Sequence, residues 1–378
     1  MEKIVIIGAN DFQRPLIKKA RQMGYETHVF AWREGATGAR DADFFYEISI
    51  TEKEKILETC RQIRPAAVTT IGSDLANITV QYLAEKLGLP GNSRDCIVNS
   101  TNKYAMRKAF KNAGLSVPWF ASAREGDLPV PPVFPVIVKP TDRSGSRAIT
   151  RVERQEDLGA AVERAISQSF EKKAIIEEYL PGQEYSMETI SYRGRHTCLA
   201  VTKKFTTGDP HYIETGHLEP AGLSEDVKEK AVEVVFAGLD ALGVQMGASH
   251  SEFRVDGTGQ VRIIEIGSRM GGDCIGSHLV PLSTGADFVR MTVEAALGQE
   301  PQVPAALLQK YAAVRFIMEE KDLELLSRLE KNHPGCIREK VLEGKPGSHQ
   351  VVDSSTRFGY FIVQTETEQE LTNLRLFD

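Results

Sequence analysis

Apolar and polar positions along the first 90 residues alternate between short buried runs and amphipathic stretches. Ile4-Val-Ile-Ile7 follows Lys3 as a buried-strand run. Gly8-Ala-Asn-Asp comes next, and then a helical pattern through Arg21 that stops at Gly24. Glu26 to Trp32 reads as a second strand, and Ala66 to Ile71 as a further one ending at Gly72-Ser-Asp74. A helix over Ala76–Leu87 stops at Gly88. The strand-loop-helix-strand order predicts a parallel, doubly wound sheet, and this first domain is expected to span residues 1–92.

The pattern then changes. Ser100 to Gly114 reads as a capped helix ending on a C′ glycine. Pro118 opens an extended stretch, and a loop with Pro129, Pro131, Pro132 and Pro135 leads into the strand Val136-Ile-Val-Lys139-Pro140. A helix from Glu156 to Gln168 precedes the strand Ala174–Leu180, and after Pro181-Gly182 another strand runs from Glu184 to Ile190. Asp226–Leu242 is an amphipathic helix, and a helix is expected around Asp287–Leu297. Pro301 and Pro304 mark a linker, which gives a second domain over 93–303, with a lid at about 115–185, and a third over 304–378.

Between the last two helices of the second domain lies the segment His250 to Arg269, two strands joined by a Gly-rich turn. A four-residue loop, Gly257 to Gln260, sets Phe253 opposite Ile264 and Glu252 opposite Glu265. The apolar pair then faces a core and the two glutamates share the other face. Sheets avoid like charges directly opposite one another. A divalent cation between the carboxylates turns the repulsion into a binding site, and hard oxygen ligands beside Arg269 suit Mg²⁺ carrying phosphate.

Composition narrows the classes. The chain of 378 residues is 41% hydrophobic and 26% charged, ordinary for a globular protein of two or three domains. The net charge of -6 argues against a nucleic-acid binder driven by bulk charge. The cysteines (Cys60, Cys96, Cys198, Cys274, Cys336) are odd in number and have no CxxC spacing, which suits free thiols in a reducing cytoplasm. Ile4–Ile7 is too short for a signal-peptide core, and no run approaches the ~18 apolar residues of a membrane span. Gly8-Ala-Asn-Asp-Phe-Gln is not GxGxxG, so a dinucleotide-dependent dehydrogenase is disfavoured. Asn10, Asp11 and Asp74, at strand ends, are expected near a site that this domain helps to shape.

Lys139 ends an apolar strand and is followed by Pro-Thr-Asp-Arg-Ser144-Gly145-Ser146. A lysine there places a point charge on a phosphate, and a loop of small residues lets backbone N–H groups close over phosphate oxygens. Glu177-Glu178-Tyr-Leu180 ends a strand as a hinge whose backbone suits an adenine edge, and Glu184 follows with a carboxylate for ribose hydroxyls. Lys103, Lys139 with its loop, the hinge with Glu184, then Glu252, Glu265 and Arg269 form an ordered series. That series resembles the ATP-grasp superfamily, over roughly residues 1–300.

The resemblance implies an α/β architecture, α+β overall: the ATP-grasp fold, an N-terminal Rossmann-like pre-ATP-grasp domain on a doubly wound parallel sheet, and a small C-terminal α/β domain. It implies that Lys103 and Lys139 hold ATP phosphates and that Ser144, Gly145 and Ser146 cover them. Glu177, Glu178 and Leu180 look like the adenine hinge and Glu184 like the ribose acid. Glu252 and Glu265 look like the acids for Mg²⁺, with Mn²⁺ as the alternative ion. Arg269, with Lys139, looks catalytic, steadying the transferred phosphoryl group and the developing oxyanion. The chain is most similar to the carboxylate–amine ligases that include L-amino-acid ligases, whose members share His250-x-Glu252, Gly271-Gly272-Asp273 and Arg357-x-Gly359. The implied reaction joins a small-molecule carboxylate to an amine through an acyl phosphate. The alternatives are a carboxylase, a purine-pathway ligase, or a non-catalytic ATP-binding protein. His217, Glu214, His250, Gly271 and Gly272 are the expected substrate contacts, and Lys203, Lys204 and His211 lie in the same stretch. Neither nucleic acid nor membrane is an expected partner; a cytoplasmic homodimer is. Two features depart from the family pattern. Gly267 stands where many members have an Asn metal ligand, and Arg143, Arg147 and Ala148 make the phosphate loop poorer in glycine.

Overall fold

Four parallel strands open the chain, in a computed structural model that describes residues 1–209 and 212–377. They are β1 (Lys3–Ile7), β2 (Glu26–Ala31), β3 (Phe44–Glu47) and β4 (Ala67–Thr69), ordered β3-β2-β1-β4. Between them lie α1 (Arg14–Gln22) and α2 (Lys53–Ile63), and α3 (Asp74–Leu87) follows β4. A parallel strand is covered on both faces, and β1 shows why its run is apolar throughout. Ile4 and Ile6 pack with Leu16, Ile17 and Ala20 of α1. Val5 and Ile7 pack on the opposite face with Ile56 and Leu57 of α2 and Val80 and Leu83 of α3.

Two short helices follow, α4 (Arg94–Thr101) and α5 (Lys103–Asn112). The single capped helix expected from Ser100 is divided here. Ser100 and Thr101 close α4, and the Asn102 carboxamide accepts from the Ala105 N–H at 3.0 Å to start α5 at Lys103. A small antiparallel sheet comes next, built from β5 (Phe120–Ala123), β6 (Val136–Pro140), β7 (Thr150–Val152) and β8 (Ala174–Glu178) in the order β5-β8-β6-β7. One face is covered by α6 (Gln155–Gln168) through Leu158, Ala161, Val162 and Ala165.

The central sheet has eight strands. Those from the middle of the chain are β9 (Gln183–Tyr192), β10 (Arg195–Thr206), β11 (Glu214–Glu219), β12 (Met246–Val255) and β13 (Val261–Gly267), with α7 (Glu225–Leu242) between β11 and β12. After a π-helical turn at Ile275–Leu279 come α8 (Val280–Thr284), α9 (Phe288–Ala296), β14 (Tyr311–Phe316), α10 (Glu320–Asn332), β15 (Ile337–Leu342), β16 (Gly359–Thr365) and α11 (Glu368–Asn373). The order is β13-β12-β9-β10-β11-β14-β16-β15, and every pairing is antiparallel. The last three strands continue this sheet, because Gly216 of β11 pairs with Arg315 of β14.

The β12–β13 hairpin departs from its expected register. Val255 pairs with Val261, so five residues, Asp256–Gln260, form the loop, and Phe253 pairs with Ile263 rather than Ile264. A β-bulge then restores the offset, and Glu252 does pair with Glu265. Ile263 and Ile266 both reach α7, where Val235 and Leu239 receive them with Phe253. Ile264 is turned to the opposite side, into a cleft.

Gly182, at the turn into β9, has a φ of +114°, and a Cβ built on it would stand 2.2 Å from the Val255 carbonyl oxygen. Backbone cannot yield there. Gly182→Ala is expected to lose about 1–3 kcal/mol in urea unfolding, whereas Gly257→Ala, with open space around it, stays near neutral. Equal midpoints for the two variants would contradict this reading of the turn.

Candidate active site

The cleft that Ile264 enters lies between the small sheet and the face of the central sheet carrying Glu252. The sequence-named Lys103, Lys139, Ser144, Gly145 and Ser146 line it. So do Glu177, Glu178, Leu180, Glu184 and Glu214, together with His250, Glu252, Glu265 and Arg269. Residues drawn from segments more than 160 apart thus share one cavity. His217, Gly271 and Gly272 stand off its wall, and His211 lies outside the described residues. Asn10 and Asp11 are not brought to the cleft; Asp11 instead accepts from the Thr37 hydroxyl at 2.7 Å.

Each carboxylate of the facing pair is neutralised by a lysine from a different element. The first residue of α5, Lys103, donates to Glu265 Oε1 at 2.9 Å and to the Arg143 carbonyl at 2.8 Å. Lys204 of β10 pairs with Glu252, and also reaches Glu184 at 3.1 Å and Glu214 at 3.8 Å. Burial alone would raise the Glu252 carboxyl and lower the Lys204 ammonium. Their mutual attraction outweighs it, holding Glu252 well below the usual carboxylate range and Lys204 well above its ordinary value.

Lys139 belongs to a second buried triad. Its ammonium lies 2.7 Å from Glu177 Oε2, and the Arg107 guanidinium lies 2.5 Å from Glu177 Oε1. The Glu177 carboxylate is thus engaged by two cations, which keep it ionised against the opposing effect of burial. At the hinge, Arg254 donates to the Leu180 carbonyl at 2.6 Å and to Glu184 at 3.2 Å, and its guanidinium lies over Tyr179. Arg269 is clamped from the start of α3: its Nε and Nη2 donate to the two oxygens of Asp74 at 2.8 and 2.9 Å. A bidentate fork of this kind fixes the guanidinium plane.

His250 joins this floor to the residues behind it. Its Nδ1 meets Glu188, and its Nε2 lies 3.4 Å from Glu252. Burial would pull the imidazole down, yet Glu188 outweighs it and holds the group up at about 9. Glu188 also accepts from the Gly271 N–H at 3.0 Å. A side chain at Gly271 would collide with this pair, since its Cβ would stand 2.7 Å from Glu188 Oε1 and 2.8 Å from His250 Nδ1. Among the described residues no group of three or more His, Cys, Asp or Glu side chains is gathered to hold a metal.

Sequence reasoning passed over Arg107 and Arg254 and named Lys204 only with its neighbour. Signals for all three were available. Arg107 lies four residues after Lys103 and shares its helix face. Arg254 lies two after Glu252 on one strand face, and alternation in β10 turns Lys204 inward. Asp74 was flagged as a strand-end acid and Arg269 as catalytic, but their pairing was not.

The comparisons with known proteins agree with this geometry. A family model described as the ATP-grasp domain matches residues 132–277. The chain carries an ATP-grasp domain. That domain contains Lys139, the Ser144–Ser146 loop, the hinge, Glu252, Glu265 and Arg269. Among curated proteins, the alanine–anticapsin ligase of Bacillus subtilis is 25% identical over 289 residues, 68% of this chain and 59% of that protein. A D-alanine–D-alanine ligase of Trichlorobacter lovleyi is 26% identical over 201 residues, 51% of this chain and 63% of the relative. The chain therefore spans about three-fifths of the length of the curated relatives it matches. Among solved structures, an L-amino acid ligase from Bacillus licheniformis superposes with a TM-score of 0.83 at 22% identity, covering 99% of this chain and 95% of that one. The fold of that ligase therefore extends over the whole chain.

One buried carboxyl near this site gives a pH test. Glu219, at the end of β11, accepts from Thr202 at 2.7 Å and Ser283 at 2.8 Å, and burial pushes it up to about 8. The folded chain therefore holds a proton that the unfolded chain releases near the ordinary Glu value of about 4.3. This contribution to stability is fully present below that value and is lost as pH rises through about 8. Urea midpoints of the native chain should fall across that window, and Glu219→Gln should flatten the fall. An unchanged slope in the variant would show that Glu219 is ionised in the fold.

Proposed function

We propose that the protein is an ATP-dependent ligase that joins a carboxylate, an amino acid, to an amine and releases ADP and phosphate. The observation that carries this reading is the single cleft in which two opposed carboxylates meet Lys103, Lys204, Lys139 and a clamped Arg269. The curated relatives, named as ligases of alanine with anticapsin and of D-alanine with D-alanine, support it.

The donor set suits Mg²⁺. Glu252 and Glu265 are hard oxygen ligands set opposite each other on one sheet face. Bound between them, the ion would neutralise phosphate charge; with Gly267 in place of an Asn ligand, two protein carboxylates are the whole set. The remaining roles belong to side chains. Lys139 and Lys103 hold phosphate oxygens, and the Ser144–Ser146 loop closes over them. Glu178 and Leu180 supply hinge backbone for the adenine, and Glu184 meets the ribose. The substrate carboxylate attacks the γ-phosphorus, forming an acyl phosphate and releasing ADP. The amine nitrogen then attacks the acyl carbon and gives up a proton to the departing phosphate as the tetrahedral oxyanion collapses and the C–N bond is made. Arg269, held flat by Asp74, faces the charge that develops in both steps. Water exclusion by the closed loop protects the acyl phosphate.

No covalent nucleophile is required. Burial pushes the Cys60, Cys96 and Cys198 thiols up to about 12, so none supplies a thiolate near neutral pH. The scattered free cysteines support a reducing cytoplasmic setting. We divide the chain for this purpose into 1–92, 93–303 and 304–378. Gly267 gives some support to a second reading, an ATP-binding protein without turnover.

The test is phosphate release from ATP and Mg²⁺ with amino acids offered singly and in pairs. Dependence on a pair supports ligation, and release at background with every pair supports the second reading. Glu265→Gln should lower turnover by about a hundredfold or more with the fold intact by circular dichroism. Near-native turnover would remove the metal assignment. Lys139→Ala should weaken ATP binding, and unchanged affinity would remove its phosphate role.

A further inference from the structure

Glu188 has no part in the mechanism, yet it lies fully buried in the middle of β9, beside the floor of the cleft. The sheet sets it directly opposite His250 of β12, so the two side chains rise on one face. Glu252 follows two residues later on the same strand and the same face. Glu188, His250 and Glu252 therefore form a row, with only the last two at the cleft wall.

Hydrogen bonds join the row end to end. Glu188 Oε1 accepts from His250 Nδ1, and Glu252 Oε1 stands 3.4 Å from His250 Nε2. Each ring nitrogen faces a carboxylate oxygen, so each is a donor and neither is left over for a ligand. Glu188 is itself held by its other oxygen, which accepts from the Gly271 N–H at 3.0 Å. Only a glycine lets that backbone come so close, since a Cβ there would stand 2.7 Å from Glu188 Oε1. Engaged on both oxygens, Glu188 has little freedom to turn, and the imidazole that it holds has little either.

Glu252 has need of such a brace. The β-bulge interrupts the ladder immediately after it, and a glutamate side chain has several rotamers to lose on being fixed. Both donors that reach it, Lys204 and His250, take the same oxygen, Oε1. Glu265 is arranged alike, with Lys103 on its Oε1. Among the described residues no hydrogen bond reaches Oε2 of either acid. Each is thus held by one oxygen and offers the other. Lys204 divides its charge among Glu252, Glu184 and Glu214, whereas His250 has Glu252 alone on its cleft side. Groups that hydrogen-bond to a metal ligand from behind set its orientation and its affinity for the ion.

Resting on the reading of Glu252 and Glu265 as the acids for Mg²⁺, we propose that Glu188 is a positioning residue for that ion: it fixes the His250 ring, which holds Glu252 by Oε1 and leaves Oε2 to the cation. His250 then belongs to the frame of the metal site and is not a contact for the carboxylate or the amine.

The test needs no turnover. A fluorescent derivative of the non-hydrolysable β,γ-imido analogue of ATP is titrated onto the full chain with Mg²⁺ and again with a chelator. The ratio of the two dissociation constants is the factor by which ion and nucleotide favour each other. Glu188→Gln keeps the side chain's shape but sets an amide N–H against one of its two N–H donors. It should cut the factor about tenfold and leave the metal-free constant unchanged. His250→Gln should do the same, and the double variant should cut it no further than either single one, since both act through Glu252. Glu219→Gln alters a buried carboxyl close to Glu188 whose partners are Thr202 and Ser283; it should keep the native factor. A native factor in either single variant overturns the proposal, and so do additive losses in the double variant or an equal loss in Glu219→Gln. If Glu188→Gln does not fold by circular dichroism, His250→Gln decides in its place. A native chain whose nucleotide affinity ignores Mg²⁺ overturns the metal assignment and the positioning role together. If the factor falls as stated while phosphate release stays at background with every substrate pair, the positioning role stands and the ligase reading fails.

Discussion

Glu252 and Glu265 face each other across a sheet, where like charges repel, and much of the surrounding architecture answers that one constraint. The bulge in the β12–β13 hairpin creates it. Continued from the loop, the register of Phe253 with Ile263 would set Glu252 against Ile264 and send Glu265 to the α7 side. The extra residue brings both acids to one face and still leaves Ile263 and Ile266 in the core. Repulsion is then relieved from two directions. The Asn102 cap begins α5 at Lys103, which reaches Glu265. Alternation along β10 delivers Lys204 to Glu252 from the other side.

The result is a cleft whose buried charges are matched by opposite ones: Lys103 with Glu265, Lys204 with Glu252, Glu184 and Glu214, Lys139 and Arg107 with Glu177, Arg269 with Asp74. Removing one member of such a buried pair costs about 3–5 kcal/mol, so the network stiffens the walls that carry it. It also sets the terms for a polyanion. Phosphates arriving with a divalent cation would exchange partners rather than strip charges bare: the carboxylates would hold the cation and the ammoniums the phosphates. Arg107 also pairs with Glu177, so that carboxylate keeps a cationic partner if the Lys139 ammonium turns to a phosphate.

Local chemistry was the part of this legible in the sequence. The alternation around Glu252 and Glu265 put two acids on one face, and Lys139 at the end of an apolar run declared itself by position. Helical spacing would have added Arg107, and strand spacing Arg254. Register was not legible, since one residue more in the loop and one more in the bulge cancel at the glutamates while misplacing Ile264. Partnerships over long separations were hidden altogether. Asp74 and Arg269 are 195 residues apart, and nothing in either segment names the other. The same holds for β9, whose alternation does not say that β12 is its neighbour, and so for Glu188 and His250, which meet only because that pairing forms.

Glycines explain how the N-terminal sheet comes close enough to take part. The loop after β4 donates from the Gly72 N–H to the Met270 carbonyl at 3.1 Å, and a Cβ on Gly72 would already stand 3.5 Å from the Gly272 Cα. Two backbones pass each other here without side chains between them. That approach puts Asp74, at the first turn of α3, against Arg269, and Gly271 against Glu188. The same few residues therefore orient the arginine of the cleft and hold the carboxylate that faces His250. A substitution that thickened this seam would act on Arg269 and on Glu188 together. Glu252 and the N-terminal sheet are consequently linked by backbone contact, through Gly271, Glu188 and His250, as well as by the Asp74 fork on Arg269.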